Sequence, residues 1–170
     1  MDIKSKIRNI KDFPKEGIDF KDITTLLKDK EAFNYCIKEM AKSLKDIDFD
    51  LIVGPEARGF LIGAPLAYEL NVGFVPVRKP GKLPAETITY EYELEYGTDT
   101  LEMHKDSIKP GQKVVVADDL LATGGTVKST IEMIEKLGGE VVSVSFLIEL
   151  EFLKGRDNFK KYNVESLIKF

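Results

Sequence analysis

This 170-residue chain is predicted to fold as α/β, with a central, mostly parallel sheet covered by helices on both faces. Three observations predict it. Short apolar runs alternate with amphipathic helical stretches along the chain. Gly/Pro pairs such as Gly54-Pro55 and Pro110-Gly111 punctuate them. The composition, 43% hydrophobic and 32% charged, is that of a globular domain and not of a disordered chain. No repeat or low-complexity segment divides it, so a single domain over 1–170 is expected.

The elements follow in order. Ile3, Ile7 and Ile10 recur at helical spacing, which predicts a helix from Ile3 to Phe13, broken by Pro14 and Gly17. Glu31 to Leu44 is a second amphipathic helix, with Phe33, Ile37, Met40 and Leu44 on one face. Asp50 to Val53 is a short buried strand ending at Gly54-Pro55. Arg58 to Leu70 reads as a mostly apolar helix that tolerates Pro65, and Gly73 to Val77 as the next strand. From Glu86 to Glu95, Ile88, Tyr90, Tyr92 and Leu94 alternate with mostly polar residues, the pattern of a half-buried strand. Gly97-Thr98-Asp99 supplies a turn, and Thr100 to His104 a return strand. Lys113 to Ala117 and Val141 to Ile148 are buried strands flanking a helix from Thr126 to Leu137, which Gly138-Gly139 stops.

Scarcity bounds the function. The net charge of −4 offers no global field for nucleic acid. Lys160-Lys161 lies among acids and reads as solvated surface. The single cysteine, Cys36, excludes an internal disulfide and sits on a helical pattern as a small buried hydrophobe. His104 is the only histidine, and Glu102-Met103-His104-Lys105 supports neither a catalytic triad nor a zinc site. The opening residues lack a signal-peptide apolar run. No apolar stretch approaches the roughly 20 residues that span a bilayer. A cytoplasmic protein with no membrane or nucleic-acid partner is expected.

The most informative stretch is Val114 to Thr126, VVVADDLLATGGT. An apolar strand ends at the acids Asp118 and Asp119, a Thr/Gly loop follows, and a helix begins at once. Free N–H groups at such a loop and helix start cradle a phosphate dianion. Ionised carboxylates accept hydrogen bonds from ribose hydroxyls. No lysine follows the glycines as a P-loop requires, and Gly124-Gly125 is not a dinucleotide fingerprint.

Two further loops follow predicted strands and so share the carboxyl rim of the sheet. Gly54-Pro55-Glu56-Ala57-Arg58-Gly59 puts a forked cation at a helix start, which suits a pyrophosphate or, equally, a plain capping loop with a surface arginine. Arg78, Lys79 and Lys82 place three cations after the next strand, as solvated surface or as a polyphosphate clamp.

The VVVADDLLATGGT string resembles the PRPP-binding motif of type I phosphoribosyltransferases. Nearly the whole chain shares in the resemblance: FPKEGIDFKDIT, EARGF, VPVRKPGKLP, LEYGTD and VVVADDLLATGGT fall in the order found in bacterial-type adenine phosphoribosyltransferases. That family's fold adds a small hood and a mobile β-hairpin loop to the sheet. Residues 1–30 and 150–170 would contribute the hood and purine pocket, and 82–104 a flexible catalytic loop.

The resemblance implies conversion of adenine and PRPP to AMP and pyrophosphate, with Mg2+ held through PRPP and water, in a homodimer. Asp118 and Asp119 would hold the ribose hydroxyls. Ala122, Thr123, Gly124, Gly125 and Thr126 would wrap the 5′-phosphate. Glu56, Ala57 and Arg58 would form a pyrophosphate loop, where the family often has a non-proline cis peptide. Arg78, Lys79 and Lys82 would also meet the pyrophosphate, some from the partner subunit. Asp19 and Lys21 would recognise the purine through their backbone, and Phe20 and Leu150 would sandwich it. Glu95 would act on the purine N7 and Tyr96 would close over the pyrophosphate, joining Arg58 as catalytic groups. The residues leave two other readings open: transfer to a 6-oxopurine, and a PRPP- or purine-sensing regulator without catalysis.

Overall fold

The computed structural model describes residues 1–94 and 97–170. A 3-10 turn at Lys4–Lys6 leads into Arg8–Ile10 (β1), which pairs antiparallel with Phe20–Asp22 (β2). Thr24–Leu27 (α1) and Lys30–Leu44 (α2) follow, then Leu51–Pro55 (β3), Arg58–Leu70 (α3) and Gly73–Val77 (β4). Thr87–Leu94 (β5) and Gly97–His104 (β6) form an antiparallel pair. Lys113–Leu121 (β7), Gly125–Lys136 (α4) and Glu140–Glu149 (β8) precede two 3-10 turns, Glu151–Leu153 and Gly155–Phe159, and the last strand, Val164–Lys169 (β9).

The central sheet is parallel throughout, in the order β4-β3-β7-β8-β9. Side chains alternate across it, and the two faces build two cores. On β7, Val115 and Ala117 join α2 and α3 through Cys36, Met40, Ile62 and Leu66. Val114 and Val116 join α4 through Val127, Ile131 and Ile134. Burial on both faces explains why these strands read as unbroken apolar runs.

α2 begins at a genuine cap: the Asp29 carboxylate accepts the N–H groups of Glu31 and Ala32, each at 3.1 Å. Inside it, burial pushes the Cys36 thiol up to about 11, which fits an inert core residue and not a thiolate nucleophile.

The structure departs from the sequence reading in four places. The helix expected from Ile3 to Phe13 is only the 3-10 turn at Lys4–Lys6 followed by β1. Ile3 and Ile7 are buried as expected, but β1 finds its hydrogen bonds in β2. Asp12 then takes a left-handed φ of 54° that no helix can include. β7 runs four residues past Ala117, so Asp118 and Asp119 lie within the strand. Gly97 to Asp99 belong to β6 and not to a turn, with Gly97 opposite Leu94 and Asp99 opposite Tyr92. β2, α1 and β9 lay outside the expected elements.

Candidate active site

β3 and β7 are neighbours whose connections leave in opposite directions. After β3 the chain returns through α3 to β4; after β7 it returns through α4 to β8. Such a reversal opens a crevice at the carboxyl ends of the two strands. Arg58, the first residue of α3, reaches across it, and its Nε lies 2.9 Å from Asp119 Oδ2 on β7.

The acid pair forms the floor. Asp119 is only 4% exposed. Asp118 Oδ1 accepts the Asp119 N–H at 2.8 Å. A Cβ on Gly59, in the first turn of α3, would sit 2.9 Å from that same oxygen, so glycine is what lets the helix approach the acid. Burial, then the neighbouring Asp119 charge, pushes the Asp118 carboxyl well above the usual range. Burial also raises Asp119, against the pull of the Arg58 guanidinium. The two therefore titrate as a pair, and a ligand offering hydroxyl donors and cationic charge would favour their ionised form.

Beyond β7, Ala122 to Gly124 turn the chain into α4. Gly124 has a φ of 88°, and a Cβ there would also strike the Phe159 ring at 2.8 Å. Among the described residues no side chain caps α4, and its first turn carries no acid. Its N–H groups and positive dipole end are thus available to an anion. They face a cleft of about 480 Å³ lined by Tyr92, Asp99, Asp118, Thr123, Gly125 and Thr126. The paired strands β5 and β6 supply the first two, so they stand over the loop from Ala122 to Gly124.

The basic loop after β4 is organised from the other side. The Glu56–Ala57 peptide is cis and non-proline. Glu56 accepts the Lys79 N–H at 2.6 Å and the Lys82 ammonium at 2.7 Å, and Arg78 Nε lies 3.4 Å from it. Burial works to raise its carboxyl, but Lys82, the Lys79 N–H and Arg78 together hold it below the usual range. Lys79 Nζ pairs with Asp99, which also accepts the Tyr92 hydroxyl at 3.0 Å. Each of the three cations thus has an acid of its own chain as partner.

Of the residues expected at the purine, Phe20 lies on β2 with the Arg58 guanidinium 5.0 Å from its ring centroid and the Phe13 ring edge-on at 5.2 Å. Lys21 turns away, donating to Asn9 Oδ1 at 2.8 Å and lying over Phe170. Asp19 is exposed in the segment leading into β2. Leu150 is buried just past β8, its N–H donating to Leu121 O at 2.9 Å beside the end of β7. Glu95 and Tyr96 lie outside the described residues. The structure adds Tyr92, Asp99 and the Gly155–Phe159 turn, which sequence reasoning did not assign. The period-2 pattern marked Tyr92 as inward-facing, but nothing linked it to the phosphate loop.

Fold and site define the class: an acid pair beside a helix start that no side chain caps among the described residues, at the switch point of a doubly covered parallel sheet, with a separate pair of short strands, β1 and β2. A family model for the phosphoribosyl transferase domain matches residues 22–170. An adenine phosphoribosyltransferase from Alkaliphilus oremlandii is 67% identical over 170 residues, covering 100% of this chain and 99% of its own. The crystal structure of adenine phosphoribosyltransferase from Thermoanaerobacter pseudethanolicus matches with a TM-score of 0.96 at 65% identity, over 99% of this chain and 98% of that one. That of the Saccharomyces cerevisiae enzyme, complexed with an imino-altritol bisphosphate and adenine, matches with a TM-score of 0.91 at 39% identity, over 97% and 96%. The chain belongs to the adenine phosphoribosyltransferase family.

Proposed function

We propose that this chain transfers the phosphoribosyl group of PRPP to adenine, forming AMP and releasing pyrophosphate. The observation that carries the reading is the shared wall of the crevice. The Asp118–Asp119 pair and the start of α4, uncapped among the described residues, adjoin each other on one side, and Arg58 faces them with its guanidinium 5.0 Å from the Phe20 ring centroid. A sugar phosphate and an aromatic base fit those two walls together. The yeast relative, crystallised with adenine and a sugar-like bisphosphate, supports that pairing of ligands.

In the reaction the bond between the anomeric carbon and the pyrophosphate oxygen breaks, the adenine N9 bond forms, and the N9 proton leaves. The anomeric carbon gains positive charge as the leaving group gains negative charge. Asp118 and Asp119 hold the ribose hydroxyls and lie near the first. Arg58, Arg78, Lys79 and Lys82 serve the second, each as PRPP competes for it with its acid partner: Asp119 for Arg58, Asp99 for Lys79, and Glu56 for Arg78 and Lys82. Ala122 to Thr126 anchor the 5′-phosphate. Glu95 and Tyr96 are assigned to the purine N7 and to closure, which excludes water that would hydrolyse PRPP.

Among the described residues no group of three or more potential ligands could hold a metal unaided. Asp99 and Asp118 line the cleft and would stand beside a Mg2+ held largely by PRPP and water. When bound, Mg2+ supplies charge neutralisation to the departing pyrophosphate. A homodimer and a cytoplasmic location complete the reading. Among the described residues no helix is long and apolar enough to cross a membrane.

The test is turnover of PRPP with adenine, hypoxanthine, guanine and xanthine, each with and without Mg2+. Adenine should be converted to AMP, and only with Mg2+. Preference for a 6-oxopurine overturns the assignment. PRPP binding with no turnover of any base indicates a regulator instead.

A further inference from the structure

We propose that the turn Gly155–Phe159 is a brace that sets the geometry of the 5′-phosphate loop. Gly155 and Asn158 act as its positioning residues and Arg156 as its anchor. The inference rests on the phosphoribosyl-transfer reading above and deepens it at one subsite.

Three consecutive loop residues are met by three residues of the brace. A Cβ on Gly155 would lie 2.2 Å from the carbonyl oxygen of Ala122, so only glycine lets the two backbones touch. Asn158 Nδ2 donates to the carbonyl of Thr123 at 2.8 Å. The Phe159 ring, 1% exposed, fills the space that a side chain at Gly124 would need. Two successive loop carbonyls are thereby turned toward the brace. In a trans peptide the N–H points opposite to the C=O. Fixing the carbonyls of Ala122 and Thr123 therefore turns the N–H groups of Thr123 and Gly124 away from the brace.

The brace is itself held firmly. Arg156 forks onto Glu149 at the end of β8, at 3.0 and 2.5 Å, and donates to Val164 O at 2.7 Å on β9. Ser166 Oγ, also on β9, donates to the same Glu149 carboxylate at 2.6 Å. Glu149 is 4% exposed, and the Arg156 hydrogen bonds hold its carboxyl below the usual range. The turn is thus tied to two strands of the central sheet, and the phosphate loop inherits that rigidity. Preorganised N–H groups bind a phosphate without first losing backbone entropy.

The experiment uses the whole purified protein and the variants Asn158→Ala and Gly155→Ala. Calorimetry measures binding of ribose 5-phosphate, AMP and pyrophosphate; kinetics give KM for PRPP and adenine. Asn158→Ala should weaken ribose 5-phosphate and AMP and raise the PRPP KM by about three- to tenfold, the loss of one hydrogen bond. Gly155→Ala should cost more than that. Pyrophosphate affinity and adenine KM should stay within about twofold of wild type, a selectivity that general loosening of the fold would not give. Asn158 is exposed, so its variant reports even where Gly155→Ala fails to fold. Wild-type affinity for ribose 5-phosphate in Asn158→Ala, or equal losses for pyrophosphate, overturns the brace while leaving the enzyme reading intact. Wild-type protein that binds no ribose 5-phosphate overturns both.

Discussion

Arg58 Nε and Asp119 Oδ2 lie 2.9 Å apart and tie the helix that follows β3 to β7, across the point where the connections of those two strands leave in opposite directions. The carbon of the same guanidinium lies 5.0 Å from the Phe20 ring centroid. One side chain therefore connects the proposed ribose floor to the proposed purine wall. Its Asp119 partner has a side chain only 6% exposed, whereas Arg58 remains 35% exposed. The arginine keeps surface open to a ligand, while the aspartate is enclosed.

Arg58→Ala should therefore harm both stability and turnover. It strands a buried carboxylate, a loss of about 1–3 kcal/mol once the partial exposure of Arg58 is allowed for. At roughly 2–4 °C per kcal/mol, the thermal midpoint should fall measurably. The catalytic loss should be larger, about 100-fold in kcat/KM for PRPP, because the charge on the leaving group loses a donor. Arg58→Lys should recover most of the stability but only part of the rate, since an ammonium neither forks nor stacks as well. Paired steady-state kinetics and thermal melts check this. An alanine variant with full activity removes Arg58 from the site.

Asp118 makes the opposite prediction for stability. A carboxyl whose folded pKa lies above its unfolded value binds more protons in the folded state. Stability is then lost as pH rises from the unfolded pKa through the folded one, and the cost persists at neutral pH. Asp118→Asn removes that cost, so the ligand-free protein should melt about 2–6 °C higher at pH 7. The gain should shrink toward pH 4, where the wild-type group is protonated. Activity should nevertheless collapse, because the amide cannot offer a full carboxylate to the ribose. A variant that is both less stable and active would show that the acid pair is structural.

The helix after β3 and the strand that follows it were legible in the sequence. Arg58–Leu70 and Gly73–Val77 coincide with their expected bounds, since the period of their apolar residues is decided locally. The first thirteen residues were not, because Ile3 and Ile7 are buried at a spacing that a helix and a turn-plus-strand share. Only the distant partner Phe20–Asp22 decides between them. The end of β7 was misjudged for a related reason: acids inside a buried strand oppose propensity, and here Arg58 from another element offsets them. The phosphate loop carried its own motif, but its support did not. Gly155, Asn158 and Phe159 reach it from as far as 35 residues away with no periodic pattern, a contact visible only in three dimensions.

Glu56 supplies the last test, because it is the acid that gathers the cations of the proposed pyrophosphate clamp. Its carboxylate faces Arg78, the Lys79 N–H and Lys82, not the ribose floor. It thus shapes a clamp that a pyrophosphate group would have to share or take over. Glu56→Ala should release both side-chain cations and leave the Lys79 N–H without an acceptor. Pyrophosphate affinity should fall and the PRPP KM rise, each about tenfold, with ribose 5-phosphate binding unchanged. Glu56→Gln keeps an acceptor for the N–H but no charge, and should fall between the two. The wild-type clamp should also keep its shape to unusually low pH. A carboxyl held below its ordinary range stays ionised until pH drops through that lowered value, so the stability it contributes is full above the unfolded pKa and is lost as pH falls from there through the folded one. Titration calorimetry with pyrophosphate between pH 4 and 8 measures this. Tighter pyrophosphate binding in Glu56→Ala would show instead that the carboxylate merely opposes the anion.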